Sequence, residues 1–520
     1  MSTKKLARNV GMMSIAVFFS RIIGLIRDQI MAYYFGTTFM NDAFNVSFNI
    51  VNLLRRLFGE GALSAAFVPI YNEIGIKENK QAQIRFALNV LSILTSFLLA
   101  LTLIGIVFAP IIVKIASPGL IPQTSMLAIK LCRIIFPYLF FIGLSSTMIA
   151  ILNSHDYFFM TGLSSALWNI GMIATILIPV WLGPITRAEL IFQAGWGVVF
   201  GGFLQTIINF PYLKRLGYNF KIIYRFSGEA LRTMWRRFIP SMIGIGIREI
   251  NLYADIFMAS FLPVGSISAL SFGNRLMQLP LGIFAIATGT AVLPLFSRYT
   301  TEKNWEGLSE SLRFASISLA YIMLPVTAII IALGQDFVHI LFRMGQFDQR
   351  ATIMTYKALA AYSLGLLFFS LNQTLTPVFY ANKDTKTPVK IAAWMAALNI
   401  TLNFTLMQFL YHMGLALATS ITAIVNYIIL MKHMKKQLPD VKYKDIWPNI
   451  AKISVLSVFI LFILLGVNHF LSFESRFLLL LKDAVASGVC LILFAIGAHA
   501  WKVAYSDQIR NNLWQRFHRH

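Results

Sequence analysis

The sequence predicts an all-α, polytopic membrane protein with about fourteen transmembrane helices, and three observations carry that expectation. Hydrophobic residues make up 57% of the 520 positions and charged residues only 12%, about half the roughly 25% charge of a soluble domain. The mean hydropathy is +0.70. Apolar stretches long enough to cross a bilayer recur along the whole chain with no soluble domain between them. A hydrocarbon core of roughly 30 Å takes about 20 helical residues at about 1.5 Å each.

The first span is expected at 10–35. Its start, "MSTKKLARNVGMMSIAVFF", has the basic residues and apolar run of a signal peptide. No small-residue cleavage site follows, and the run continues through Arg21 to Tyr34, so a retained first span is expected. Five more spans follow at 42–71, 86–114, 124–152, 157–182 and 188–213. A second set of six is expected at 238–262, 266–297, 309–334, 351–381, 387–411 and 414–434, and a last pair at 447–471 and 477–503.

Loop charge agrees with this order. With Lys4, Lys5 and Arg8 inside, the loops "GTTFMN", "SPGLIPQ", "LPVGS" and "YHMG" fall outside and carry no basic residue. The opposite loops hold Lys77, Lys80 and Arg85, then Lys383, Lys386 and Lys390, then Lys432, Lys435 and Lys436. The positive-inside rule then places both termini in the cytoplasm and accounts for most of the net charge of +23. Cys132 and Cys490 lie far apart in apolar stretches and read as packing residues.

The densest basic segment, "KRLGYNFKIIYRFSGEALRTMWRRF", separates the two sets of six. It reads as an interfacial helix against anionic membrane lipids. The expected organisation is an N-lobe over 1–213, a basic amphipathic linker over 214–237, a C-lobe over 238–440, and the last two spans with the tail over 441–520. The halves resemble each other: "FVPIYNE" and "VLPLFSR" put Pro69 and Pro294 in register, and "LWNI" matches "ALNI" at a similar offset. Repeats of six spans share one orientation, which puts a substrate site between the halves near the midplane.

Charge inside the membrane is the functional signal, since one charge at the bilayer centre costs about 2.5–3.5 kcal/mol even on a lenient scale. The stretch "SRIIGLIRDQ" carries Arg21, Arg27 and Asp28, and span 2 carries Asp42, Arg55, Arg56 and Glu60. Arg133, Arg248, Glu249, Asp255 and Arg275 lie in later spans. At about 100° per residue, Arg21 and Asp28 nearly share a face while Arg27 projects away, unless the helix bends at Gly24. Arg56 and Glu60 have the i, i+4 spacing of an ion pair. Each arginine either pairs with a carboxylate or faces a cavity. Because cations outnumber carboxylates, the set as a whole points to an anionic ligand bearing phosphate or carboxylate, which the planar guanidinium fork fits. No GxxxxGK[ST] loop and no HExxH occurs, which disfavours an ATPase or metallohydrolase of those types. Asp255, Asn399, Asn403 and Thr419 offer oxygen ligands for a cation such as Na⁺, or plain interhelical hydrogen bonds.

Four stretches, "SRIIGLIRDQIMAYYFG", "NDAFNVSFNIVNLLRRLFGEGALSAAFVPIYNE", "NRLMQLPLGIFAIATGTAVLPLFS" and "FYANKDTKTPVKIA", resemble the MurJ (MviN) family of bacterial lipid II flippases. That family belongs to the multidrug/oligosaccharidyl-lipid/polysaccharide exporter superfamily. The resemblance implies two six-helix lobes around a central cavity, plus a C-terminal helix pair forming a groove for a polyprenyl tail. It places the family's cavity arginines on Arg21, Arg27, Arg55 and Arg275 and its span 2 acid on Asp42, with Gly24, Asp28, Arg56 and Glu60 in support. The implied substrate is lipid II, whose pyrophosphate the arginines would grip. No cofactor is expected; the energy would come from an ion gradient or the membrane potential, and proteins of cell-wall synthesis are expected partners. Two other readings compete: an exporter of a different anionic lipid-linked glycan, and a membrane scaffold for cell-wall enzymes.

Overall fold

The computed structural model describes residues 3–509 except 61, 220, 472 and 474. Side chains are described from Phe19 onward, apart from those of 59, 60, 62, 65, 158–161, 243–245, 247, 248 and 250–252. Among the described residues every regular element is a helix. Nine stretches among the described residues are long and apolar enough to cross a membrane, or ten when one bent pair counts as a single span.

The chain divides into two compact units, Met1–Ser268 and Ala269–His520. The first opens with α1 (Thr3–Phe35) and α2 (Phe39–Arg55), which runs through a π-helical turn (Arg56–Glu60) towards α3 (Ala62–Lys77). Then come α4 (Lys80–Ala116), α5 (Pro122–Ile135), α6 (Pro137–Ser154), α7 (Phe158–Leu182), α8 (Arg187–Ile207), the short α9 (Phe210–Arg215) and α10 (Glu229–Ala259). α11 (Ser266–Pro280) begins at the edge of this unit.

The second unit continues from α11 through a second π turn (Leu281–Ala285) into α12 (Ile286–Thr301) and α13 (Trp305–Phe342). α14 (Gln349–Ser363) and α15 (Leu366–Ala381) form the bent pair, at 42°. α16 (Lys386–Gln437) is two helices joined at Tyr411, whose φ of +51° breaks the helical path. Gln437 Nε2 donates to Asp384 Oδ2 at 2.7 Å, so the end of α16 returns to the residue that precedes it. α17 (Ile446–Phe470) and α18 (Arg476–Ala500) complete the unit.

Local chemistry sets these boundaries. Asn79 starts α4 by accepting from Ala82 N at 2.9 Å, and Asp348 starts α14 by accepting from Ala351 N at 2.8 Å. Thr186 and Glu189 form a reciprocal capping box at α8. α4 shows how the helices face lipid. Leu98, Thr102, Gly105, Ala109 and Val113 are buried, while Leu103, Ile104, Val107, Phe108 and Ile111 are exposed. Small and polar groups face the protein and large apolar ones face outward, the reverse of a soluble helix. Where α7 meets α8, a Cβ on Gly171 would lie 2.7 Å from the Cα of Gly201, so only glycine allows that approach.

The internal repeat expected from sequence recurs in the elements. The two π turns lie 225 positions apart, as do Pro69 of α3 and Pro294 of α12 and the starts of the long helices α4 and α13. The break between α5 and α6 likewise answers the bend between α14 and α15.

The basic segment differs from its expected helix. The chain turns at Gly217, where φ is +96°, and its described residues have no regular structure until α10 begins after Gly228. Contacts with α4 replace the helical bonds. Asn89 exchanges two hydrogen bonds with the backbone of Arg225, at 2.9 and 2.8 Å, and Ile223 N donates to Ser92 Oγ at 3.0 Å. The Tyr224 and Ser96 hydroxyls meet at 2.6 Å. At the head of this strap the buried Tyr218 bonds the Tyr71 hydroxyl at 2.6 Å, and Tyr71 bonds His155 Nε2 at 2.8 Å. Burial, aided by the Lys80 charge, holds His155 below its ordinary imidazole value, and burial pushes the Tyr218 phenol up.

Candidate functional site

The intramembrane charges of the first unit sort into distinct environments. α1 passes through Gly24 without a break in the helix, and Arg21 is exposed while Arg27 is 4% exposed. The two guanidiniums therefore sit in different surroundings, as straight-helix geometry dictates. Arg27 donates from Nε and Nη2 to Asp28 Oδ1, at 3.2 and 2.7 Å, and from Nη1 to Asn169 Oδ1 on α7 at 2.9 Å. Its guanidinium also lies over Trp168, 4.7 Å from the ring centroid. A Cβ on Gly24 would be 3.6 Å from Asn169 Nδ2, so Gly24 brings α1 against the residue that orients Arg27. Sequence reasoning found Arg27 and Asp28 but not Asn169 and Trp168; their place in the repeated "LWNI" was the available signal.

Asp42, expected at the substrate, is buried and uses both carboxylate oxygens within the protein. Oδ2 accepts from Gly265 N at 2.6 Å, and Oδ1 accepts from Ser268 N at 2.8 Å and Ser268 Oγ at 2.6 Å. An anion at the first turn of α11 also meets the positive end of the helix dipole. Gly265 has a φ of +97°, and a Cβ there would lie 2.5 Å from Thr37 O, which fixes glycine at this turn.

Arg55 and Arg56 stand where α2 gives way to the π turn, a feature concentrated at functional sites. Arg55 is half-buried, and its Nε donates to Asn52 Oδ1 at 2.7 Å. Arg56 meets Glu249 of α10, with Nη1 2.9 and 2.7 Å from the two carboxylate oxygens. The i, i+4 partner suggested by spacing, Glu60, has a side chain outside the described residues, as does Arg248. Tyr253 adds a second tie, its hydroxyl donating to Asn49 O. Arg133 is exposed, and its Nε donates to Ile106 O at 3.3 Å. In the second unit Arg275 is exposed on α11.

Three of the cation candidates make hydrogen bonds within their own helix, α16. Asn403 Nδ2 donates to Asn399 Oδ1 at 3.1 Å, and the Thr419 hydroxyl donates to Leu415 O at 3.1 Å. These three belong to the second unit and Asp255 to the first. Among the described residues no group of three His, Cys, Asp or Glu side chains could hold a metal ion. Both hydrogen bonds lie within α16, so these side chains are engaged by their own helix.

Long apolar helices, with breaks that recur in both halves, define a polytopic helical membrane protein. The fold is similar to that of a MATE family multidrug transporter of the MOP superfamily in an inward-facing conformation. The TM-score is 0.65 at 16% identity, over 80% of this chain and 95% of that one. The family model described as "Lipid II flippase MurJ" matches residues 31–482, and the chain belongs to that family. A probable lipid II flippase MurJ of Buchnera aphidicola is 31% identical over 93% of this chain and 96% of its own length. The corresponding protein of Rickettsia prowazekii is 33% identical over 81% and 82%. A solved structure of lipid II flippase MurJ in an inward closed conformation matches with a TM-score of 0.77 at 29% identity. That match covers 94% of this chain and 99% of the other.

Proposed function

We propose that this chain flips lipid II from the inner to the outer leaflet of the bacterial cytoplasmic membrane by alternating access, with both termini in the cytoplasm. The observation that carries the reading is the set of guanidiniums on α1 and α2 in a chain of this family. Arg27 is matched by Asp28 and Arg56 by Glu249, and Asp42 is spent on the start of α11. We assign Arg21 and Arg55, both in the first unit, to the pyrophosphate. Arg27 positions α1 against α7, and Asp42 holds the turn before α11 in place. Guanidinium forks suit the oxygens of a pyrophosphate, and exposure at Arg21 leaves it within reach of a ligand.

The membrane potential supplies the driving force in this proposal. An inside-negative potential favours outward movement of an anion by about 2.3 kcal/mol per charge for each 100 mV. Anionic lipids at the exposed basic strap, and cell-wall synthesis proteins, are the further partners we propose.

The test is exposure of lipid II on the outer leaflet of cells depleted of their own flippase. The expected result is that this chain restores exposure and its Arg55→Ala variant, at equal membrane level, does not. Restoration by both removes Arg55 from the site. Restoration by neither points to another anionic lipid-linked glycan.

A further inference from the structure

Three helices of the second unit bring charges together away from the arginines above. Lys482 on α18 donates from Nζ to Asp336 Oδ2 on α13 at 2.7 Å and to Asn468 Oδ1 on α17 at 2.6 Å. The same nitrogen lies 3.4 Å from Oδ1 of its neighbour Asp483. Asn468 is fixed in turn by donating to Ala332 O at 3.2 Å. The side chain of Lys482 is 3% exposed and that of Asp483 is 1% exposed. Apart from this long contact with Lys482, neither oxygen of Asp483 accepts a hydrogen bond among the described residues.

The other charged or titratable groups on these helices near the cluster are His339 and Arg343 on α13, His469 on α17 and Arg476 on α18. His339 is within electrostatic reach of Arg343, Arg476 and Asp336, and its Nε2 lies 3.5 Å from Arg343 Nη1. Arg343 and Arg476 are half-buried at the helix ends and His469 is exposed, so water and other groups share their charge. Inside the cluster one ammonium faces two carboxylates.

A buried carboxylate that accepts no short hydrogen bond is a poor anion. Two carboxylates sharing a single counter-ion titrate as a pair, and the neutral arrangement carries one proton between them. We propose that Asp336 and Asp483 share one proton beside Lys482, making this cluster a proton-binding site where α17 and α18 join α13. The proton comes from hydronium, whose O–H bond breaks as one carboxyl O–H forms, and on release it returns to water. Losing it leaves a net negative charge at the junction of the three helices, so their packing follows the protonation state.

The test is infrared difference spectroscopy of the full-length chain in lipid nanodiscs, titrated in H₂O and in D₂O. The wild type should show a protonated-carboxyl C=O band that shifts in D₂O. Asp336→Asn and Asp483→Asn, tested separately, should each lose it completely, because one carboxylate then pairs with one ammonium. Lys482→Gln should strengthen it about twofold, because both carboxyls then need protons. If Lys482→Gln fails to fold, the two isosteric asparagine variants still decide. A band that survives both, or a wild type without one, overturns the proposal.

Discussion

Replacing Arg27 by alanine should destabilise the first unit by about 4 kcal/mol. The guanidinium makes two hydrogen bonds to Asp28 and one to Asn169, and it covers Trp168. Removing one partner of a buried ion pair costs about 3–5 kcal/mol, because the remaining charge stays buried. The lost contact with the indole adds about 0.5–2 kcal/mol, and the two contributions overlap. Arg27→Lys should cost about 1.5–3 kcal/mol, since one ammonium cannot reproduce the fork that serves Asp28 and Asn169 together. The double variant Arg27→Met, Asp28→Asn removes both charges and should recover more than half of the alanine loss. Unfolding in mixed detergent micelles measures all three, with lipid II exposure in depleted cells scored alongside. A loss below about 1 kcal/mol for Arg27→Ala, or a double variant no better than the single one, would refute the structural account. Normal flipping by a stable double variant would show that the substrate does not need this charge.

Glu249→Gln should cost only about 1 kcal/mol, because the Arg56 side chain is 38% exposed and solvent screens the pair; the swap Arg56→Glu with Glu249→Arg, read by the same unfolding assay, should restore most of it. Asp42→Ala leaves two backbone N–H donors and a hydroxyl buried without an acceptor. At about 1–3 kcal/mol for each orphaned group, it should lower membrane abundance sharply on immunoblots, whereas Asp42→Glu should fall between. Burial holds His155 below its ordinary imidazole value in the folded protein, so stability should be full above about 6.5 and fall as pH drops below it. His155→Gln should flatten this acid limb in thermal melts; an unchanged limb would place the titrating group elsewhere.

Much of this architecture was legible because membrane helices announce themselves by length and composition, and because duplicated stretches such as "LWNI" and "ALNI" mark the repeat. The arginines of α1 and α2 stood out for the same reason, as charges inside apolar runs. Their partners did not. Arg56 and Glu249 are 193 positions apart, and local spacing favoured Glu60. The donors to Asp42 are mostly backbone N–H groups, which every residue carries and no sequence pattern displays. The basic segment had the amphipathic composition of a helix, yet Asn89, Ser92 and Tyr71 capture it through tertiary contacts. Propensity yields where a neighbouring helix offers hydrogen bonds at the spacing of an unwound chain.

The paired π turns share geometry without sequence. A π turn amounts to one residue inserted into an α-helix, and the cheapest repair is to delete it again. Here it recurs at equivalent places in both halves although no position keeps its residue, Arg-Leu-Phe-Gly-Glu in one and Leu-Gly-Ile-Phe-Ala in the other. What the two halves hold in common at this turn is a backbone shape, on which the first sequence sets Arg56 and Glu60 where the second sets Leu281 and Ala285.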